Sequence, residues 1–232
     1  MDNKVIVDLG SAAIGGFVAE ITTYPIKSLK NVFQTNDHTL TKVIRDLGKR
    51  GFYRGTLPTF MSKGVSVALK YTLYQSLKVK ISEKIPNKTL AKVVSGATGG
   101  AIGVIFTQPM FVWMLCLQRG EVMKPQYAFR GVIVNIFRTI PLYSMLFPLY
   151  DSYYVWTKDP FLSSLLTTMT TTTVLQPIEY IRTNHAAGRL IGLKTPIKTL
   201  YRGTGLAFIR NSAHLSITMI LIENIKSYYF KN

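Results

Sequence analysis

Arg138 and Arg210 are the residues best equipped to do chemistry in this chain, because both stand seven places after the glycine of a repeated aromatic-Arg-Gly triplet. The triplets are Tyr53-Arg54-Gly55, Phe129-Arg130-Gly131 and Tyr201-Arg202-Gly203, and the first copy carries Ser62 at the equivalent place. Two guanidinium groups at one depth suit the oxygens of phosphate or carboxylate, which they grip through planar, charge-assisted donors. Lys63 adjoins Ser62 and Thr139 adjoins Arg138, while His214 follows Arg210 by four residues and shares its helical face. No acid stands at the matching depth, so solute contact is favoured over internal ion pairing. Glu20 has two readings: it binds an amino group on a zwitterionic solute, or it neutralises Arg138 or Arg210 when the site is empty.

Other chemistries find little support. There is no Gly-rich Walker loop and no nucleophile elbow. The single cysteine, Cys116, excludes an intrachain disulfide, and His38, His185 and His214 lack metal-ligand spacing, so no metal or cofactor is expected. A formal net charge of +17 suits an anionic solute or anionic lipid. Nucleic acid is not the expected partner: the basic clusters, 42–49, 78–88 and 194–198, come without zinc-finger, helix-turn-helix or base-stacking patterns.

Positioning these side chains requires a repeated scaffold. Pro25, Pro109 and Pro177 precede the three triplets, and twenty and twenty-three residues beyond the triplet glycines lie Gln75, Asp151 and Glu223, then Lys78, Tyr154 and Lys226. One helix-loop-helix unit is thus written three times: residues 1–85, 86–158 and 159–232. Apolar stretches over 5–24, 57–77, 91–117, 132–155, 161–181 and 206–225 are each long enough to cross about 30 Å of hydrocarbon as a helix. The expected fold is therefore an all-α membrane protein of six transmembrane helices, in three two-helix repeats around a pseudo-threefold axis. Both termini then share one side, and the first apolar segment is expected to be a retained helix, since it lacks a basic flank and a cleavage pattern. Residues 39–49 read as a short surface helix, with a brief turn at 196–200 in the third unit. Gly10, Gly15 and Gly16, and Gly96, Gly99, Gly100 and Gly103, would allow close helix approach. The three prolines should bend the odd spans inward.

With these features the chain resembles the mitochondrial carrier family over nearly its full length. That family carries a Pro-x-acid-x-x-base motif on each odd helix, complete here only as Pro177-Ile178-Glu179-Tyr180-Ile181-Arg182. The first copy has Lys27 in place of the acid and keeps Lys30, and the second has Phe111 and Met114 in place of both charges. The resemblance implies a matrix gate in which Glu179 meets Lys30, Phe111 faces Arg182 and Lys27 faces Met114, with Gln34 and Gln118 as bracing glutamines. It implies a cytosolic gate in which Asp151 pairs with Lys226, Glu223 with Lys78 and Gln75 with Tyr154, flanked by Tyr74 and Tyr150. A matrix gate with one ionic link implies either a cycle biased toward the cytosol-closed state or closure by apolar contact at Phe111 and Met114.

By resemblance the level of Ser62, Arg138 and Arg210 is the solute-contact level. The pair Arg138-Thr139 is closer to that of carboxylate carriers, with phosphate and nucleotides still open. The implied function is alternating-access transport of a small anionic or zwitterionic metabolite by a monomer in the mitochondrial inner membrane. An anionic lipid such as cardiolipin would sit at the triplet turns. The alternative is a non-transporting, carrier-like structural or interaction protein.

Overall fold

The computed structural model of the protein describes residues 3–64, 88–192 and 194–230. In chain order these form α1 (Asn3–Thr35), α2 (Leu40–Gly51), α3 (helical over 56–64), α4 (Lys88–Arg119), a 3-10 turn at Pro125–Tyr127, α5 (Val132–Thr157), α6 (Pro160–Ala186), α7 (Ile197–Leu200) and α8 (Thr204–Phe230). The result is an all-α bundle. Three described segments, Ala97–Arg119, Pro125–Thr157 and Ile197–Ile222, are long and apolar enough to cross a membrane.

Neighbours follow one another in a ring: α4 packs on α5, α5 on α6, α6 on α8 and α8 on α1. On α3, Phe60 stacks on Phe17 of α1 with ring centroids 4.3 Å apart. The bundle is polar inside and apolar outside. Glu20, Asn31, Gln34, Gln108, Gln118, Asn135 and Gln176 are buried, whereas Phe17, Phe106, Phe137 and Ile209 are exposed on the outer faces. Water would favour the reverse distribution, and hydrocarbon favours this one.

The prolines do not end the odd spans. Helices α1, α4 and α6 contain Pro25, Pro109 and Pro177 and run nine or ten residues beyond them. In each case the residue before the proline ties the helix to its own unit's triplet turn. Tyr24 donates to the Arg54 carbonyl at 2.8 Å, Gln108 to that of Arg130 at 2.5 Å, and Gln176 to that of Arg202 at 3.2 Å. α6 starts cleanly because the Asp159 side chain accepts from the Leu162 amide at 2.8 Å and Pro160 fills the first helical position.

The triplet glycines lock successive units together. Gly55, Gly131 and Gly203 all have left-handed backbones, with φ of 83°, 70° and 85°. A Cβ on Gly55 would lie 2.8 Å from the Met114 carbonyl oxygen, one on Gly131 3.0 Å from the Ala186 amide, and one on Gly203 3.2 Å from Gln34. The first turn thus presses on α4, the second on α6 and the third on α1. The third triplet arginine follows the same contact: Arg202 donates to the Phe33 carbonyl at 2.9 Å and to that of His38, covering exposed acceptors near the end of α1.

Among the glycines expected to permit close helix approach, Gly15 does so: a Cβ there would meet the Thr218 carbonyl oxygen of α8 at 3.1 Å. At Gly10, Gly16 and Gly103 a Cβ would meet nothing within 4 Å, so their lack of a side chain serves no packing contact among the described residues.

Candidate solute cavity

The inner helix faces enclose a cavity of about 760 Å³. α6 contributes Thr168, Thr171, Thr172, Gln176, Glu179 and Arg182, and α8 contributes Arg210, Asn211, His214 and Thr218. Both sets recur every three or four residues, as one face of a helix must. Arg138, Leu142 and Leu146 line it from α5, Lys27, Lys30 and Asn31 from α1, Phe111 from α4 and Lys63 from α3. Ser62 lies beside it, in a smaller pocket of about 210 Å³ with Met110 and Met114.

Arg138 and Arg210 both reach the cavity, yet neither is free of carboxylates as the sequence suggested. Arg138 Nε is 2.7 Å from Glu179 Oε2, and Arg210 Nη2 donates to Glu20 Oε2 at 2.6 Å. The physical reason is reach: a long arginine on an even span crosses to an acid on a neighbouring odd span, so depth along one helix does not exclude a partner on another. Glu20 has no exposed side-chain surface and also meets Lys27 at 2.8 Å, Lys63 at 3.1 Å and His214 Nε2 at 3.3 Å. Of its two readings, the geometry realises neutralisation, for Arg210 and not for Arg138.

The carboxylates are outnumbered. Among the described residues six Lys and Arg side chains line the cavity, namely Lys27, Lys30, Lys63, Arg138, Arg182 and Arg210, and they share Glu20 and Glu179. Arg182 Nε and Arg210 Nε have no hydrogen-bond partner among the described residues. Surplus cations and unused guanidinium donors are the chemistry that an anion would match.

At the floor, Glu179 is a three-way hub. Besides Arg138 it accepts from Lys30 Nζ at 3.1 Å and Arg182 Nη2 at 3.2 Å. Arg182 also donates to Asn135 Oδ1 at 3.1 Å, and its guanidinium lies 4.0 Å from the centroid of the Phe111 ring. Where a carboxylate would be expected, a π face meets the cation, worth about 0.5–2 kcal/mol. Phe111→Leu should therefore lower stability by about that much in thermal unfolding, and Phe111→Tyr should not. Equal losses in the two variants would mean that the ring serves only as volume. Met114 is buried in an apolar cluster with Val112, Leu115, Cys116 and Ala186, against which Phe111 packs. Lys27 pairs with Glu20 at 2.8 Å and lines the smaller pocket together with Met114.

The remaining candidates divide. Gln34 donates to the Arg202 carbonyl at 3.0 Å, and Gln118 donates to the Tyr24 hydroxyl at 3.0 Å, so each braces a triplet turn. Thr139 is buried and donates to the Asn135 carbonyl at 2.8 Å, away from the cavity. Asp151 is exposed, and Tyr150 stacks on Tyr154 at 6.1 Å. Tyr74, Gln75 and Lys78 lie outside the described residues, as do the side chains of Glu223 and Lys226. Sequence reasoning missed Tyr24, Gln108 and Gln176 as latches, and Asn135, which bridges Gln108 at 2.8 Å to Arg182. A polar residue directly before all three prolines was the available signal.

No group of three or more His, Cys, Asp or Glu that could hold a metal occurs among the described residues. The family model described as mitochondrial carrier protein matches residues 2–84. A mitochondrial carrier-like protein of Acanthamoeba polyphaga mimivirus is 28% identical over 228 residues, covering 93% of this chain and 94% of that protein. The human mitochondrial electrogenic aspartate/glutamate antiporter is 22% identical over 276 residues, covering 95% of this chain but 41% of its own length. A mitochondrial adenine nucleotide transporter of Arabidopsis thaliana is 29% identical over 126 residues, covering 46% of this chain and 36% of that protein.

Proposed function

From the premise that the chain is a divergent member of the mitochondrial carrier family, we propose that it moves a small anion across the membrane by alternating access through the cavity between its helices. The family match and the apolar spans support a multi-pass protein of the mitochondrial inner membrane. Solute transport of the antiporter type is the family's general function; the anion, the two gates and the six-span threefold bundle of three repeats are this proposal's own. The observation that carries it is the six cations set against two carboxylates, among the described residues, around a cavity of about 760 Å³. A zwitterion fits less well, because the Glu20 carboxylate has no exposed surface and already meets four basic groups.

Lys30, Glu179, Arg182 and Phe111 act as the matrix gate, a role that their mutual contacts support. Asp151 with Lys226, Glu223 with Lys78 and Gln75 with Tyr154 act as the cytosolic gate. Carboxylate, phosphate and nucleotide remain the candidate anions. The triplet turns hold anionic lipid, and the working unit is a monomer.

The test is binding by the purified protein. Ligands that favour the folded state raise the unfolding temperature in proportion to their occupancy, so carboxylates and phosphates should raise it and organic cations of similar size should not. A panel in which no anion gives a shift would contradict the proposal.

A further inference from the structure

Among the described lining residues the charged ones occupy the deeper half of the cavity. Along α6 the lining passes from Arg182 and Glu179 to Thr172 and then Thr168, and along α8 from Arg210 and Asn211 to Thr218. From Arg210 to Thr218 the rise is about 12 Å. Beyond His214, the outer lining residues on both helices are uncharged, and α5 faces them with Leu142 and Leu146.

The hydroxyls in this outer half have specific polarity. Thr218 donates its proton to the His214 carbonyl at 2.7 Å, and Thr171 donates to that of Thr167 at 2.7 Å. With their protons committed, these oxygens can offer only lone pairs. Thr172 is the converse case: its hydroxyl accepts from Asn211 Nδ2 at 3.0 Å, which leaves its proton to give. Asn211 in turn accepts from Arg210 at 3.1 Å, so one amide joins the charged level to the hydroxyl level.

A phosphate or carboxylate oxygen is an acceptor and has no use for the lone pairs of Thr171 and Thr218. A second anionic end would also meet leucine on α5. A hydroxyl group both gives and takes a hydrogen bond, and so matches this wall.

We propose that the α6–α8 wall above the arginines is a subsite for a neutral, hydroxyl-bearing body, so that the solute is an anionic group carried at one end of such a body, as in the phosphate ester of a sugar or polyol. The anionic end enters first and reaches Arg138 and Arg210, and the hydroxylated body rests along Thr172 and Thr218. This rests on the transport reading above and narrows its solute.

Half-saturating concentrations from thermal shift of the purified protein test it, with glycerol phosphate and a hexose phosphate set against orthophosphate and a four-carbon dicarboxylate. The hydroxylated esters should bind about tenfold more tightly than the bare anions. Thr172→Val with Thr218→Val should compress that ratio, and Thr172→Ser with Thr218→Ser should retain it. Equal affinity for all four anions, or a ratio that survives the valine pair, overturns the subsite while leaving anion transport standing. Absence of binding by every anion overturns both.

Discussion

Glu20→Gln should lower the stability of the purified protein by about 3–5 kcal/mol, read as a large drop in its unfolding midpoint in detergent or lipid. The carboxylate is fully buried, is the shared counter-ion of Lys27, Arg210 and Lys63, and lies 3.3 Å from His214 Nε2. Removing one member of a buried ionic cluster strands the others in a medium that solvates them poorly, and that loss exceeds the Coulomb energy of any one pair. Lys63, nearly half exposed, will contribute least. Combining Glu20→Gln with Arg210→Gln should recover part of the loss, since the stranded guanidinium is removed as well. Full additivity of the two changes would show that Glu20 and Arg210 do not interact.

For Glu179→Gln, opposite signs are expected in two assays: tighter anion binding and slower transport. In the empty site Arg138 is held by Glu179 at 2.7 Å, so an incoming anion competes with an internal carboxylate. Removing that competitor should tighten binding about tenfold, the scale of one charge-assisted contact. The same carboxylate joins Lys30 of α1 to Arg182 of α6 at the floor. Without it the gate loses its only acid among the described floor residues, and uptake should fall about a hundredfold. An anion that draws Arg138 away from Glu179 would thereby connect occupancy to the gate. Unchanged or weaker binding in Glu179→Gln would mean that Arg138 is not shared in this way.

Much of this arrangement was legible in the sequence, for identifiable reasons. Three copies of one triplet pointed to three equivalent turns, and in the structure Gly55, Gly131 and Gly203 of those turns press on Met114, Ala186 and Gln34. The Lys30–Glu179 contact and the meeting of Phe111 with Arg182 were also foreseeable, because motif positions carry their partners with them.

What the sequence could not disclose is the relative depth of different helices. The contacts Arg138 to Glu179 and Arg210 to Glu20 depend on how α5 sits against α6 and α8 against α1, and on long side chains that span the difference. Lys63 was obscure for the same reason: its place beside Ser62 says nothing about whether its ammonium can swing to Glu20. Which threonine hydroxyls of α6 face the cavity depends on the rotation of that helix against its neighbours. The prolines stand inside helices that continue nine or ten residues beyond them, and the latch from each preceding residue depends on a turn at most 30 residues further along the chain, which spacing alone does not pair.

Uptake of a labelled anion into vesicles holding the purified protein tests the central claim most directly, run beside Arg138→Ala, Arg210→Ala and protein-free vesicles. The account predicts saturable uptake by the unaltered protein, accelerated by unlabelled anion on the opposite side, and suppressed about a hundredfold or more in either arginine variant. Uptake no faster than in protein-free vesicles across carboxylates, phosphates and their hydroxylated esters, or uptake undiminished by loss of both arginines, would contradict it.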